Sequence, residues 1–221
     1  MDTSPIVAVA SDADDLEAVC ELLSALPTEC NAAFIVVQHL NSGHEKLAAE
    51  ALANRTNLPV MHAHDGMVAE QDHVYLIPAN ATLTMTGRRI GVTANASKLH
   101  HPGDILFTSL AEEHGDSAIG VVLSGGGSDG ALGVRAIKQG GGTTFAQYPG
   151  SARFPGMPIS AIETGCVGFV LRPNEIAREL TRLSRHAALA AGVARRLVID
   201  DKAGLRRGDG AAGAFLRPRD R

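Results

Sequence analysis

Short apolar runs alternate with amphipathic stretches along most of the chain. The runs "IVAVA" at 6–10 and "AIGVVLS" at 118–124 are continuous and apolar, which is typical of buried strands. The stretch between Leu16 and Leu26 repeats its apolar residues at helical spacing. This alternation predicts an α/β fold, a doubly wound and mostly parallel sheet with helices on both faces.

The same pattern predicts the individual elements and their order. The predicted strands are 6–10, 32–40, 59–63, 73–78, 118–124, 142–147 and 168–171. The predicted helices are 16–26, 44–56, 105–115, 131–140 and 173–188. A hairpin is predicted around 86–89, within a small β excursion over 73–92.

The periodicity weakens towards the C-terminus. The stretch 189–201 is compatible with a longer helix or a separate short element, and 202–221 is rich in Gly, Arg and Ala. Such a segment has few apolar residues to bury. The sequence therefore predicts a folded domain over 1–188 and a flexible C-terminal extension over 189–221.

Composition and charge disfavour some classes of protein. The net charge of the chain is −4, and residues 1–187 carry twelve basic and twenty acidic residues. An acidic body disfavours nucleic-acid binding. Three widely spaced cysteines without a CxxC pair favour a reducing compartment. Neither a signal peptide nor an apolar run long enough for membrane insertion is evident, so the predicted location is the cytoplasm.

Polar residues follow three of the predicted strands, where ligands bind in parallel sheets. Ser11 follows the first strand, His39 the second, and Asp129 lies on the glycine-rich turn before the helix at Ala131. Singly, His39 is compatible with a structural histidine and Asp129 with an N-cap of that helix. Together they are typical of a serine hydrolase, with nucleophile, general base and orienting carboxylate.

The glycine-rich turn also offers an alternative interpretation. Gly125, Gly127 and Gly130 match the GxGxxG spacing of dinucleotide-binding loops. That fingerprint needs an acidic residue at the end of the next strand, where this chain has Gln147. It also normally lies in the first strand-to-helix turn, which here contains no glycine. We therefore predict no bound cofactor.

Several long motifs resemble the catalytic domain of chemotaxis protein-glutamate methylesterases (CheB-type), most nearly the form found in methylesterase–methyltransferase fusion proteins. They are "VVQHL", "HDGMVAEQDHVYLIPAN", "FTSLAEEHGDSAIGVVLSGGGSDGALGVRAIKQGGGTTFAQ" and "SARFPGMPISAIETGCVGFVL". The resemblance covers about residues 6–184. It implies that His39 is the catalytic base, that Asp129 orients it, and that the loop 154–158 borders the site.

The resemblance also implies a function. The family removes methyl groups from glutamyl methyl esters of receptor proteins, and some members deamidate glutamines. The implied partner is a chemoreceptor or another signalling protein. The family's usual receiver domain does not match any part of this chain, so a separate receiver or methyltransferase protein is a further candidate partner.

The first turn departs from the family pattern, which is Gly-Ala-Ser, a small residue, two glycines and "LEA". A gapless alignment on "LEAV" places Asp12 at the nucleophile position and Asp14–Asp15 at the two glycines. Placing Ser11 there requires a slip of one residue. Carboxylates in this turn compete for the free N–H groups that stabilise an oxyanion, although Asp is also a common helix cap.

Two classes of function therefore remain. One is an active methylesterase that uses Ser11 through a shifted turn, and the other is a degenerate domain that binds signalling partners without hydrolysis. A metal site is a weaker alternative, since no second ligand motif supports one. Its ligands would be Asp12, Asp14, Asp15 and His39. We predict no metal.

Overall fold

The computed structural model describes residues 4–12, 15–38, 45–94 and 101–208, and only the backbone at 45 and 191–208. In these residues the strands are β1 Ile6–Ser11, β2 Ala33–Gln38, β3 Val60–His62, β4 Val74–Leu76, β5 Ala81–Thr86, β6 Arg89–Ala94, β7 Ala118–Val122, β8 Thr143–Gln147 and β9 Phe169–Leu171. The α-helices are α1 Leu16–Ser24, α2 Glu45–Ala53, α3 Pro102–His114, α4 Ala131–Gln139, α5 Gly156–Glu163 and α6 Pro173–Gly208.

Seven of the described strands form one sheet in the order β3-β4-β2-β1-β7-β8-β9. Every neighbouring pair in it is parallel. The predicted α/β class and the adjacency of the strands at 6–10, 33–37 and 118–123 are confirmed. β1 lies at the centre, with β2 on one side and β7 on the other, so the direction of winding reverses between β1 and β7.

Alternate residues of each strand are buried on opposite faces of the sheet. On β1, Val7 and Val9 belong to an apolar cluster shared with α1 and α6. Ala8 and Ala10 belong to the cluster on the opposite face, shared with α3, α4 and α5. Successive strand residues point to opposite faces, and burial on both faces explains why these strands are continuous apolar runs.

The predicted β excursion is only partly separate from the main sheet. β5 and β6 form an antiparallel hairpin, as predicted around 86–89. β4, at the start of the predicted excursion, instead pairs with β2 and β3 in the main sheet. The hairpin packs on α3, where Met85 N–H donates to Ser109 Oγ at 3.0 Å. Leu83 and Ile90 of the hairpin are fully buried.

Two helices differ from the sequence prediction. α5 was not predicted, because "FPGMP" has the composition of a loop; proline is nevertheless tolerated in the first turn of a helix, and Pro158 lies there. α6 continues to Gly208, across the boundary predicted between Ala188 and Leu189. The independence of residues 189–221 from the folded domain stays a prediction. In the described part of the chain, no helix is long and apolar enough to cross a membrane.

Candidate active site

The candidate site lies at the carboxyl ends of β1 and β7, where the sheet reverses its winding. Such switch points leave a crevice in which α/β proteins bind ligands. Two loops meet there, the turn after β1 and the glycine-rich turn 124–130 after β7. Asp12 N–H donates to the carbonyl of Ser124 at 3.1 Å and fixes the first loop against the second.

The side chain of Asp12 points into this crevice. Its Oδ2 accepts a hydrogen bond from Gly126 N–H at 3.3 Å. A Cβ added at Gly125 would lie 2.1 Å from Met157 Sδ and 3.1 Å from Asp12 Cβ, so Met157 leaves no room for a side chain there. The Asp12 carbonyl also accepts from Asp15 N–H at 3.2 Å. With both backbone groups bonded, the Asp12 backbone is fixed at this end of β1.

Ser11 faces the other side of the sheet. It is the last residue of β1 and pairs in register with Gln38. By strand alternation its side chain lies on the face of Val7 and Val9. Ser11 is 1% exposed, and its Oγ has no hydrogen-bond partner in the described structure. The side-chain amide of Gln38, also buried, is unpartnered there as well.

Asp129 lies on the face of β1 that carries Ala10. A Cβ added at Gly103 would lie 2.9 Å from both Ala10 Cβ and Asp129 Oδ2. Asp12 follows Ala10 at a spacing of two and contacts the loop that leads to Asp129. The structure therefore places Asp12 on the same side of the sheet as Asp129, and Ser11 on the other side.

Asp129 caps a helix other than the one it precedes. Its Oδ2 accepts from Gly103 N–H at 2.9 Å and its Oδ1 from Asp104 N–H at 3.0 Å, both in the first turn of α3. The interpretation of Asp129 as N-cap of its own helix, α4, is wrong. That position is Gly130, whose φ of +89° favours glycine.

His101 and Asp104 lie beside Asp129, and the sequence did not single them out. His101 Nδ1 is 3.7 Å from Asp104 Oδ2 and 3.8 Å from Asp129 Oδ1. Burial raises the pKa of Asp104, and the nearby Asp129 carboxylate raises it further, against hydrogen bonds that lower it. One of those bonds comes from Gly133 N–H at 2.8 Å and joins α3 to α4.

These three side chains are the group of potential metal ligands among the described residues, with ligand atoms within 4.8 Å of one another. Both Asp129 oxygens and one Asp104 oxygen already accept backbone N–H groups. The positive end of the α3 dipole also disfavours a cation there. Helix capping accounts for this arrangement, and we assign no metal to it.

The loop 154–158 borders the crevice, where the resemblance places it. Gly125 N–H donates to the carbonyl of Phe154 at 2.8 Å, and Met157 N–H donates to the carbonyl of Gly125 at 2.8 Å. Ser160 Oγ donates to the carbonyl of Gly127 at 3.2 Å. These contacts make the wall opposite Asp12 a fixed backbone surface. His39 and Asp14 lie outside the described residues, so the predicted contact between His39 and Asp129 stays a prediction.

The CheB methylesterase family model matches residues 7–180. The chain belongs to the CheB methylesterase family. The crystal structure of the Thermotoga maritima CheB methylesterase catalytic domain superposes with a TM-score of 0.75 at 28% sequence identity, covering 82% of this chain and 99% of that one. The resemblance to the family and the α/β fold expected from it are thus confirmed.

Curated relatives extend the same family likeness. A protein-glutamate methylesterase/protein-glutamine glutaminase of Bordetella parapertussis is 37% identical over 186 residues, which cover 80% of this chain and 53% of that protein. A 104.1 kDa Rhodobacter capsulatus protein, described as uncharacterized, is 39% identical over 169 residues, 76% of this chain and 17% of that protein. The chain thus spans about half the length of its CheB methylesterase relative and less of the larger protein.

Proposed function

We propose that this chain is a protein-glutamate methylesterase/glutamine deamidase-type domain of bacterial signal transduction, whose ligand is a modified glutamyl side chain of a receptor protein. The observation that carries the proposal is the crevice between β1 and β7, where Asp12 and the Gly125–Gly127 backbone face each other on the Asp129 side of the sheet. The names of the curated relatives support glutamyl methyl esters and glutamines as substrates.

In this proposal each residue has a role set by its position. His39, directly after β2, is the general base, and Asp129 orients it while capping α3. The Gly126 N–H faces the nucleophile position and can donate to an oxyanion. Ser11, the candidate nucleophile of the sequence analysis, is buried on the other face of the sheet and would need a rebuilt turn to act.

A second candidate function, binding without hydrolysis, is favoured by Asp12 itself. A carboxylate at the nucleophile position offers no hydroxyl for acyl transfer, and attack by a carboxylate on an alkyl ester would give an anhydride. Asp12 also accepts the Gly126 N–H that an oxyanion would need. Loss of one such donor typically costs about 3 kcal/mol of transition-state stabilisation.

The proposed partners follow from the ligand, and the proposed location follows from the cysteines. The main partner is a chemoreceptor or a related signalling protein, with a separate receiver or methyltransferase protein as a further partner; neither nucleic acid nor a membrane is part of the proposal. Cys20, Cys30 and Cys166 are free thiols. Free thiols favour a reducing compartment, and we propose the cytoplasm.

Two measurements on one sample test the proposal. A methylated chemoreceptor fragment is titrated with the protein to measure binding, and methanol release is followed in the same reaction. Binding of the modified fragment, with or without turnover, supports the proposed ligand, and the methanol rate separates the two functions. Absence of both binding and methanol release would contradict both functions.

A further inference from the structure

Asp12 offers an acceptor at the position where an esterase offers a hydroxyl. Its Oδ2 receives one long hydrogen bond from Gly126 N–H, at 3.3 Å. Its backbone N–H and carbonyl are bonded to Ser124 and Asp15, which fixes the position of its Cα at the edge of the crevice. An ionised carboxylate has acceptor sites only, enough for about four hydrogen bonds. The side chain is half-buried and so presents this acceptor to a ligand in the crevice.

On the opposite wall, two backbone carbonyls already accept hydrogen bonds. The carbonyl of Gly125 accepts from Met157 N–H, and that of Gly127 accepts from Ser160 Oγ. The N–H of Gly125 is itself used by the carbonyl of Phe154. Asp12 therefore adds a charged side-chain acceptor to this part of the crevice, beside the backbone carbonyls of the glycine-rich turn.

The three states of a receptor glutamyl side chain differ in what they offer to an acceptor. A glutamine amide has two N–H donors, a methyl ester has none, and a glutamate carboxylate has none and carries a like charge. Sites that hydrogen-bond a ligand N–H reject analogues without it, because the buried acceptor is then left without a partner. A like charge beside Asp12 adds repulsion.

We infer that Asp12 makes the crevice selective for the amide form, so that the domain binds glutamine at a receptor modification position in preference to glutamyl methyl ester or glutamate. This inference rests on the proposed function and names the ligand state that the same site prefers. Asp12 acts as a specificity-determining residue, with one oxygen held by Gly126 N–H and the remaining acceptor capacity directed at the ligand amide.

The test uses three versions of one helical peptide from a chemoreceptor modification region, with glutamine, glutamate or glutamyl methyl ester at a single position. Affinities are measured by fluorescence anisotropy, and mass spectrometry afterwards verifies that each peptide is chemically unchanged. Wild type should bind the glutamine peptide at least about tenfold more tightly than the other two, the ratio expected for one hydrogen bond to a charged group.

Asp12→Asn and a matched control complete the design. An asparagine amide can both donate and accept, so Asp12→Asn should reduce the preference for glutamine to within about threefold and strengthen binding of the glutamate peptide. Asp116→Asn makes the same change of charge at an exposed position after α3 and should leave the wild-type preference intact.

The outcomes separate this inference from the proposed function. Equal binding of all three peptides by wild type, or an unchanged preference in Asp12→Asn, overturns the selectivity while leaving the proposed ligand class standing. Binding of none of the three peptides by wild type contradicts the proposed function and the inference with it.

Discussion

Asp129 has a structural task in this protein that does not depend on catalysis. Its side chain is 3% exposed and accepts the Gly103 and Asp104 N–H groups in the first turn of α3. Asp129→Ala leaves both donors without that acceptor in a buried place. An unsatisfied buried polar group costs about 1–3 kcal/mol, so the expected loss in the free energy of unfolding is about 2–5 kcal/mol.

Matched variants refine that estimate. Asp129→Asn keeps one acceptor oxygen and should lose about half as much, roughly 1–2 kcal/mol. Ser128→Ala changes the exposed neighbour on the same turn and should stay within about 0.5 kcal/mol of wild type. For a chain of this length 1 kcal/mol corresponds to about 2–4 °C in Tm, so the loss of about 2–5 kcal/mol in Asp129→Ala should lower the Tm by about 4–20 °C.

The assay is urea and thermal unfolding followed by circular dichroism, with amide hydrogen exchange at Gly103 and Asp104 as a local readout. Faster exchange at these two amides in Asp129→Ala would tie the loss to the α3 cap. If Asp129→Ala keeps its Tm within about 2 °C of wild type and both amides stay protected, the capping role is refuted.

Three further predictions concern other parts of the fold. Burial raises the pKa of Asp104, so ionisation of this carboxyl opposes folding. The free energy of unfolding of Asp104→Asn should therefore differ little from that of wild type at acidic pH, and its advantage should grow as pH rises through that pKa. Urea unfolding from about pH 4 to 7 measures this difference, and a constant difference would contradict the prediction. Gly133→Ala should destabilise by about 1–3 kcal/mol, because the new Cβ would lie 2.4 Å from Phe107 Cβ where α3 and α4 pack; unchanged thermal unfolding would argue against that close contact. Truncation after Asp201 should change the Tm by less than about 2 °C, and a loss of several degrees would show that the tail packs on the domain or forms an interface.

The sequence was most informative where a local pattern decides the structure. The apolar runs at 6–10 and 118–124 predicted the two central strands, β1 and β7, because strands buried on both faces are continuously apolar. α5 was missed because its first turn contains Gly156 and Pro158, which favour loops in most contexts. The extent of α6 was underestimated because the apolar periodicity weakens before the helix ends.

The site was harder to predict because its contacts are distant in sequence. Asp129 caps α3 through Gly103 and Asp104, which lie 26 and 25 residues before it in the chain. The periodicity of the sequence does not predict such a contact. The choice between Ser11 and Asp12 at the nucleophile position was open in the sequence. In the structure the two residues differ in the face of the sheet on which they lie, since a shift of one residue at the end of β1 moves a side chain to the other face.

We propose that Asp12, not Ser11, occupies the nucleophile position and keeps the rate of ester hydrolysis low. The most direct measurement is methanol release from a methylated receptor fragment by wild type, Ser11→Ala, and the triple variant Asp12→Ser, Asp14→Gly, Asp15→Gly. We expect little turnover for the first two proteins and a measurable gain for the triple variant, which restores a hydroxyl and frees N–H groups for the oxyanion. Robust turnover by wild type that Ser11→Ala abolishes would contradict it and make Ser11 the nucleophile.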